Sequence, residues 1–232
     1  MMESIFTRTE LLIGKEKLEK LKQSNIAVFG LGGVGSYAAE AVARAGVGRL
    51  TVVDMDTVNS TNINRQLCAL NSTIGMKKTD VVYERLKDIN PGAEVISRFC
   101  FYSNETADLF KLKEFDYIID AIDTVSSKLL LIENAKKADI PIISSMGAGN
   151  RTDPLKLTVG DIYQTSICPL ARIMRHELRK RNIDSLNVVY SKEEPVKINS
   201  GNSKTIGSIS FVPSVAGLLC ASEAVRALTQ NL

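Results

Sequence analysis

The chain has 232 residues, 44% hydrophobic and 24% charged, with a formal net charge of +3. Such a composition excludes a disordered chain and suits one large α/β core, and its mild basicity permits an anionic partner without requiring one. Four cysteines with no CxxC pair, and a single histidine at position 176, argue against a zinc site, a dithiol motif, a disulfide framework and a Ser-His-Asp triad.

The first residues carry Glu3, Arg8 and Glu10 without an apolar run, so no signal peptide is expected. Leu11, Leu12, Leu18 and Leu21 predict one amphipathic helix over Thr9–Ser24. Ile26–Phe29 predicts a short buried strand. The loop Gly30-Leu31-Gly32-Gly33-Val34-Gly35 follows it and opens a small-residue helix that ends at Gly46. Leu50–Val53 predicts a second strand, closed by Asp54. A polar segment runs to about Ser72, and Met76–Ile89 predicts a helix stopped by Asn90-Pro91-Gly92. Then come a strand at Glu94–Arg98, a helix at Glu105–Leu112, a buried strand at Tyr117–Asp120, a helix at Val125–Ala138 and a strand at Pro141–Ser145. This alternation predicts a Rossmann-like, doubly wound, mainly parallel sheet with helices on both faces.

After Gly149 the rhythm changes. Strands are expected at Leu155–Val159 and Asn187–Tyr190, a helix at Pro169–Arg181, a mobile loop over Ser191–Ser208 and an apolar helix at Pro213–Leu228. Phe211–Ala221 is the longest apolar run and is interrupted by Pro213 and Gly217. It falls short of the ~18 residues of a membrane span. No membrane attachment and a cytoplasmic location are therefore expected. Residues 1–150 read as a nucleotide-binding core with its N-terminal helix. Residues 151–232 read as a short extension for substrate binding and dimerisation, without a core of its own.

The glycine loop fits G-x-G-x-x-G in the strand–loop–helix context that brings backbone N–H groups and a helix N-terminus to a phosphate. Asp54 follows Gly35 by 19 residues, where a carboxylate can accept both hydroxyls of a ribose. These features alone indicate a nucleotide, and NAD fits them. The charges that follow favour a triphosphate: Arg65 and Lys78 can neutralise phosphates, and Asp123, just past the strand at Asp120, is suited to Mg²⁺.

Together, Gly30, Gly32, Gly33, Gly35, Asp54, Asn62, Asn64-Arg65-Gln66, Lys78 and Asp123 resemble the nucleotide site of the superfamily of ubiquitin-activating enzymes and molybdopterin-synthase adenylyltransferases. The resemblance implies carboxylate adenylation by ATP. Gly33 and Asp54 would contact the nucleoside, Asn62, Arg65 and Lys78 the phosphates, and Asp123 the metal. Phe6-Thr7-Arg8-Thr9-Glu10-Leu11-Leu12-Ile13-Gly14 is similar to the element that donates an arginine to a partner subunit's ATP, which makes Arg8 the candidate and implies a homodimer.

The C-terminal segments Asp161–Ser166, Pro169–Arg181 and Gly207–Gly217 resemble the tRNA threonylcarbamoyladenosine dehydratase family. That likeness implies a tRNA substrate whose threonyl carboxylate is adenylated and whose own carbamoyl group closes the ring. No zinc and no catalytic cysteine are then required. Cys168 stands where the family pattern leads one to expect Asp. Within Pro169–Arg181, Arg172, Arg175 and Arg179 recur on one helical face and Lys180 and Arg181 extend it, as expected of a tRNA contact. The competing function is activation of a ubiquitin-like sulfur-carrier protein through its C-terminus.

Overall fold

The structure, a computed structural model, describes residues 4–197 and 206–230. Among these residues seven strands form one sheet in the order β3-β2-β1-β4-β5-β7-β6. They are β1 (Asn25–Phe29), β2 (Arg49–Asp54), β3 (Glu94–Phe99), β4 (Tyr117–Asp120), β5 (Ile142–Ser145), β6 (Leu157–Asp161) and β7 (Asn187–Ser191). Every neighbouring pair is parallel except β6 against β7. The predicted doubly wound sheet is thus observed. The sequence order reverses between β1 and β4, and their C-terminal ends, Phe29 beside Asp120, form the crevice where such sheets hold ligands.

Two apolar layers flank the sheet. On one side α3 (Gly35–Ala45), α4 (Lys78–Ile89) and α7 (Phe211–Thr229) cover Ile26, Val28, Leu50, Val52 and Ile119. On the other, α5 (Val125–Lys137) and α6 (Pro169–Lys180) cover Ala27, Phe29, Val53 and Ile118. Successive strand residues point to opposite faces, so strands buried on both sides carry unbroken apolar runs such as Ile26–Phe29.

Several local expectations are corrected. The N-terminal helix is two: α1 (Thr7–Ile13) and α2 (Lys15–Gln23), broken at Gly14, whose φ is +88°. Leu18 and Leu21 are buried, but Leu11 and Leu12 are more than four-fifths exposed, because the break puts them on the solvent side of α1, whose Phe6 and Ile13 face the body. Glu105–Leu112 is not a helix. It forms short 3₁₀ turns at Ala107–Leu109 and Leu112–Glu114 that carry Phe110 against Phe29, with ring centroids 5.3 Å apart.

The last helix is longer than expected, 19 residues, with Pro213 in its first turn, where proline is tolerated. By length and composition it could cross a membrane. It packs on the body through one face, on which its own Val212, Ala216, Cys220 and Ala224 are buried. The expected mobile loop lies partly outside the described residues. Its described flanks are tied to the body: Val196 N–H donates to Asn150 O (2.8 Å) and Asn150 N–H to Gly207 O (2.7 Å).

Candidate nucleotide and substrate site

The glycine loop closes the crevice between β1 and β4. Gly30 has φ +86°, and a Cβ there would lie 2.6 Å from the Ala121 carbonyl oxygen. A Cβ on Gly35 would lie 1.7 Å from Gly30 O. Only glycine permits this close fold of the loop onto the start of α3 and the exit of β4. No side chain caps α3, which leaves its N-terminal N–H groups for an anionic ligand.

Asp54 ends β2 and turns onto the loop. Its Oδ2 accepts from Leu31 N–H at 2.6 Å and its Oδ1 from Asp56 N–H at 2.7 Å. Burial pushes its carboxyl above the usual carboxylate range, opposed by the Lys78 charge and these two N–H donors. A carboxylate fixed in this way presents its remaining lone pairs to a ribose.

Lys78 opens α4. That helix begins two residues later than its apolar pattern implies, because Met76 O accepts from Val58 N–H and Lys77 pairs with Thr57 in an isolated bridge. The Lys78 side chain is only 4% exposed, and its Nζ lies 2.7 Å from Asp56 Oδ2, on a carboxylate that is 62% exposed. The result is a buried cation whose present partner faces solvent.

The segment between β2 and α4 supplies the remaining polar groups. Asn62 Oδ1 accepts from Asn59 N–H (3.0 Å) and so shapes a short turn. Arg65 donates to Thr61 O and Asn64 Oδ1, both at 2.9 Å. Asn64 Nδ2 reaches Ser208 O at 3.0 Å. Gln66 lies under the loop, its Nε2 3.8 Å from where a Gly32 Cβ would be, and its buried Oε1 has no hydrogen-bond partner. Ser36, which sequence reasoning missed, joins these parts: its Oγ donates to Gly32 O (2.7 Å) and accepts from Leu67 N–H (3.2 Å).

Asp123 is exposed on the loop after β4, with Thr124 Oγ1 3.3 Å from its Oδ1. Among the described residues no three His, Cys, Asp or Glu side chains are grouped to hold a metal. A lone carboxylate still fits Mg²⁺, which takes few protein ligands and completes its shell with phosphate oxygens and water. The close-packed glycine loop and the buried Lys78 fit a nucleotide polyphosphate.

Arg8 is not brought to this site. It is exposed on α1. Phe6, two residues earlier, packs 3.5 Å from the Cβ position of Gly46, past the C-terminus of α3. The glycine loop is at that helix's other end, about 16 Å away for eleven residues at 1.5 Å each.

The α6 cations are not equivalent. Ala171, Met174 and Leu178 are buried and orient the helix, and Leu170 is half-buried. Arg175 is half-buried and donates to the Thr165 carbonyl (2.9 Å) and hydroxyl. Lys180 and Arg181 both pair with Glu177 at 2.8 Å, and their bonds hold its carboxyl down to about 2. Arg179 lies over the Tyr163 ring, 5.1 Å from its centroid. Arg172 is exposed and has no side-chain partner among the described residues. Cys168, immediately before α6, is buried.

The doubly wound sheet, with its glycine loop and cation set, defines a nucleotide-binding fold of the adenylating type, and residues 6–231 match the ThiF family. The chain belongs to that family. Within it, the chain is 46% identical to the tRNA threonylcarbamoyladenosine dehydratase of Bacillus subtilis (strain 168), over 98% of this chain and 95% of that one. It is 45% identical to the enzyme of that name from Haemophilus influenzae, over 71% of this chain and 63% of that longer one. Among solved structures, Escherichia coli tRNA N6-threonylcarbamoyladenosine dehydratase, TcdA, in complex with ATP, superposes with a TM-score of 0.90 at 34% identity, covering 97% of this chain and 94% of that one. The resemblance noted in the sequence is borne out in both fold and family.

Proposed function

We propose that the chain is an ATP-dependent tRNA threonylcarbamoyladenosine dehydratase. The observation that carries this reading is the 46% identity to a relative of that name over 98% of the chain, which takes in the C-terminal segments as well as the nucleotide site. The geometry supports it. Asp54 holds the ribose hydroxyls, and the glycine loop, Asn62, Arg65 and Lys78 hold the phosphates, with Asn64 and Gln66 shaping the loop beneath them. Mg²⁺ at Asp123 would neutralise phosphate oxygens. The threonyl carboxylate attacks the α-phosphorus and pyrophosphate leaves. The substrate's carbamoyl group then attacks the acyl carbon, and AMP departs with one carboxylate oxygen. The net change in the nucleoside is loss of water. Positioning and positive charge carry the first step, so neither a histidine nor a thiolate is needed.

Two copies form the working unit in this reading, with Arg8 reaching the partner's nucleotide. Residues 1–150 serve ATP and residues 151–232 serve tRNA and the dimer contact, in the cytoplasm. The tRNA face is α6, where Arg172 and Arg179 are the cations best placed for phosphates. Incubation with ATP and tRNA carrying threonylcarbamoyladenosine, then digestion and mass spectrometry, tests the proposal. A mass loss of one water in that nucleoside, dependent on ATP and matched by AMP release, is expected. ATP-dependent adenylation of a Gly-Gly carrier C-terminus, with the tRNA unchanged, would replace it with the sulfur-carrier reading.

A further inference from the structure

Beneath the nucleotide crevice lies a buried ionic cluster that the chemistry above does not use. Asp120, at the last position of β4, and Lys128, in α5, are both fully buried, with Asp120 Oδ2 2.8 Å from Lys128 Nζ. Ser144 sits beside Asp120 in the β4–β5 register. Its hydroxyl donates to the same Oδ2 at 2.6 Å and accepts from Lys128 Nζ at 2.9 Å. The other carboxylate oxygen, Asp120 Oδ1, accepts from Ile122 N–H at 3.1 Å.

These bonds enclose the loop that carries Asp123. On its β4 side, Ala121 N–H donates to Phe29 O (2.8 Å), its carbonyl abuts Gly30, and Ile122 is held by Asp120. On its α5 side, Thr124 O accepts from Lys128 N–H (3.0 Å), and the Lys128 ammonium is anchored to β4 and β5. Asp123 alone in this turn directs a carboxylate outward. Burying two charges is costly, and an apolar pair would often fill such a space with equal or greater stability. What the ion pair adds is a fixed direction: three groups on two strands and one helix meet at one oxygen.

We propose that Lys128, locked between Asp120 and Ser144, is a positioning residue that fixes the 121–124 turn and so aims Asp123 at the metal and phosphates. The inference rests on the adenylation reading for its catalytic consequence and on the buried hydrogen bonds for its structural one. Groups that orient a metal ligand from behind typically change metal affinity or rate by about 10–100-fold when removed.

The test uses the full chain and two variants, Ser144→Ala, which removes one hydroxyl and keeps the ion pair, and Lys128→Met. Three quantities are read: amide hydrogen exchange of the peptide covering residues 121–124, ATP affinity by calorimetry with Mg²⁺ and with EDTA, and AMP release on modified tRNA. Ser144→Ala is expected to speed exchange in that peptide at least several-fold and to lower kcat about tenfold. The Mg²⁺ concentration for half-activity should rise, and KM for ATP should change less than about twofold, because Asp54 and the glycine loop are untouched. Lys128→Met should move each readout further in the same direction. Should Lys128→Met fail to fold, Ser144→Ala decides. Unchanged exchange at 121–124 and an unchanged Mg²⁺ requirement, with only the melting temperature lowered, would overturn the proposal and leave a structural ion pair. A wild-type chain inactive on ATP would instead overturn the adenylation reading, and the exchange data would still decide whether the cluster holds the turn.

Discussion

Replacing Lys78 by Met separates binding from chemistry more sharply than any other single change. Its side chain is 4% exposed, while that of its partner Asp56 is 62% exposed. When the cation is removed, water takes over Asp56, and an ion pair with one exposed member contributes only about 0–1 kcal/mol to stability. Met also fills the space of the lysine stem, so the melting temperature should fall by no more than a few degrees. The kinetic cost is larger. An ammonium about 4 Å from a phosphate charge, at an effective dielectric near 20, is worth about 4 kcal/mol. Losing one preorganised donor at a developing charge costs about 3–4 kcal/mol in comparable sites. Lys78→Met should therefore lower kcat about 10²–10³-fold at saturating ATP, measured as AMP release on modified tRNA beside a thermal melt. Because Lys78 also holds down the pKa of Asp54, the variant should lose ATP affinity at a higher pH than the wild type. A kcat within about fivefold of wild type in a folded Lys78→Met would refute the assignment of this cation to the phosphates, since so small a loss is under 1 kcal/mol.

In its proposed role Asp54 accepts ribose hydroxyls best when ionised. With its pKa raised by burial, ATP affinity should weaken as pH falls, starting above the ordinary carboxylate range, and Asp54→Asn should flatten that dependence in calorimetric titrations. The same shift means that folding takes up a proton there, so the nucleotide-free protein should lose stability as pH rises from the ordinary carboxyl pKa to the raised one. Arg8→Ala and Lys78→Met should each be nearly inactive, yet mixing and refolding them in equal amounts should restore about a quarter of wild-type turnover, because half the dimers then carry one intact composite site. No recovery on mixing would remove Arg8 from the partner's site. Cys168→Ser should keep most of its AMP release, since the ring-closing group belongs to the substrate; a thioester trapped at Cys168 would contradict this. Arg172→Ala with Arg179→Ala should weaken tRNA binding and reduce its salt slope by about one for each phosphate no longer neutralised, with ATP affinity unchanged.

The glycine loop of the candidate site was legible because it depends on local backbone geometry. Gly30 and Gly35 are required by approaches of 2.6 and 1.7 Å that any Cβ would make, and Asp54 lies one strand away in the register of β1 with β2. Spacing along the chain carries that information. The partners of the α6 cations were not legible. Arg172, Arg175 and Arg179 share a face by helical periodicity, but whether one is free depends on Thr165 and Tyr163 from the segment before the helix. The Asp120–Lys128–Ser144 cluster was missed for a similar reason. Lys128 looks like a surface lysine of an amphipathic helix, and only the β4–β5 register brings Ser144 to the same oxygen. Leu11 and Leu12 misled in the opposite sense, since apolar spacing predicts burial and the break at Gly14 leaves them on the solvent side of α1 while Phe6 and Ile13 face inward.

The two halves of the chain share one sheet. Strands β6 and β7 come from beyond residue 150 and continue the sheet that β1 begins. The second half also reaches the nucleotide loops directly: Pro213 Cβ lies 3.1 Å from the Cβ position of Gly33, and Ser208 O accepts from Asn64. Gly207 is meanwhile bound on both sides by Asn150, backbone to backbone and backbone to side chain. The stretch 206–213 therefore lies against the glycine loop at one end and the segment after β5 at the other. Substitutions along it should alter which carboxylates are accepted before they alter the affinity for ATP, for which Asp54 and Lys78 are the proposed determinants.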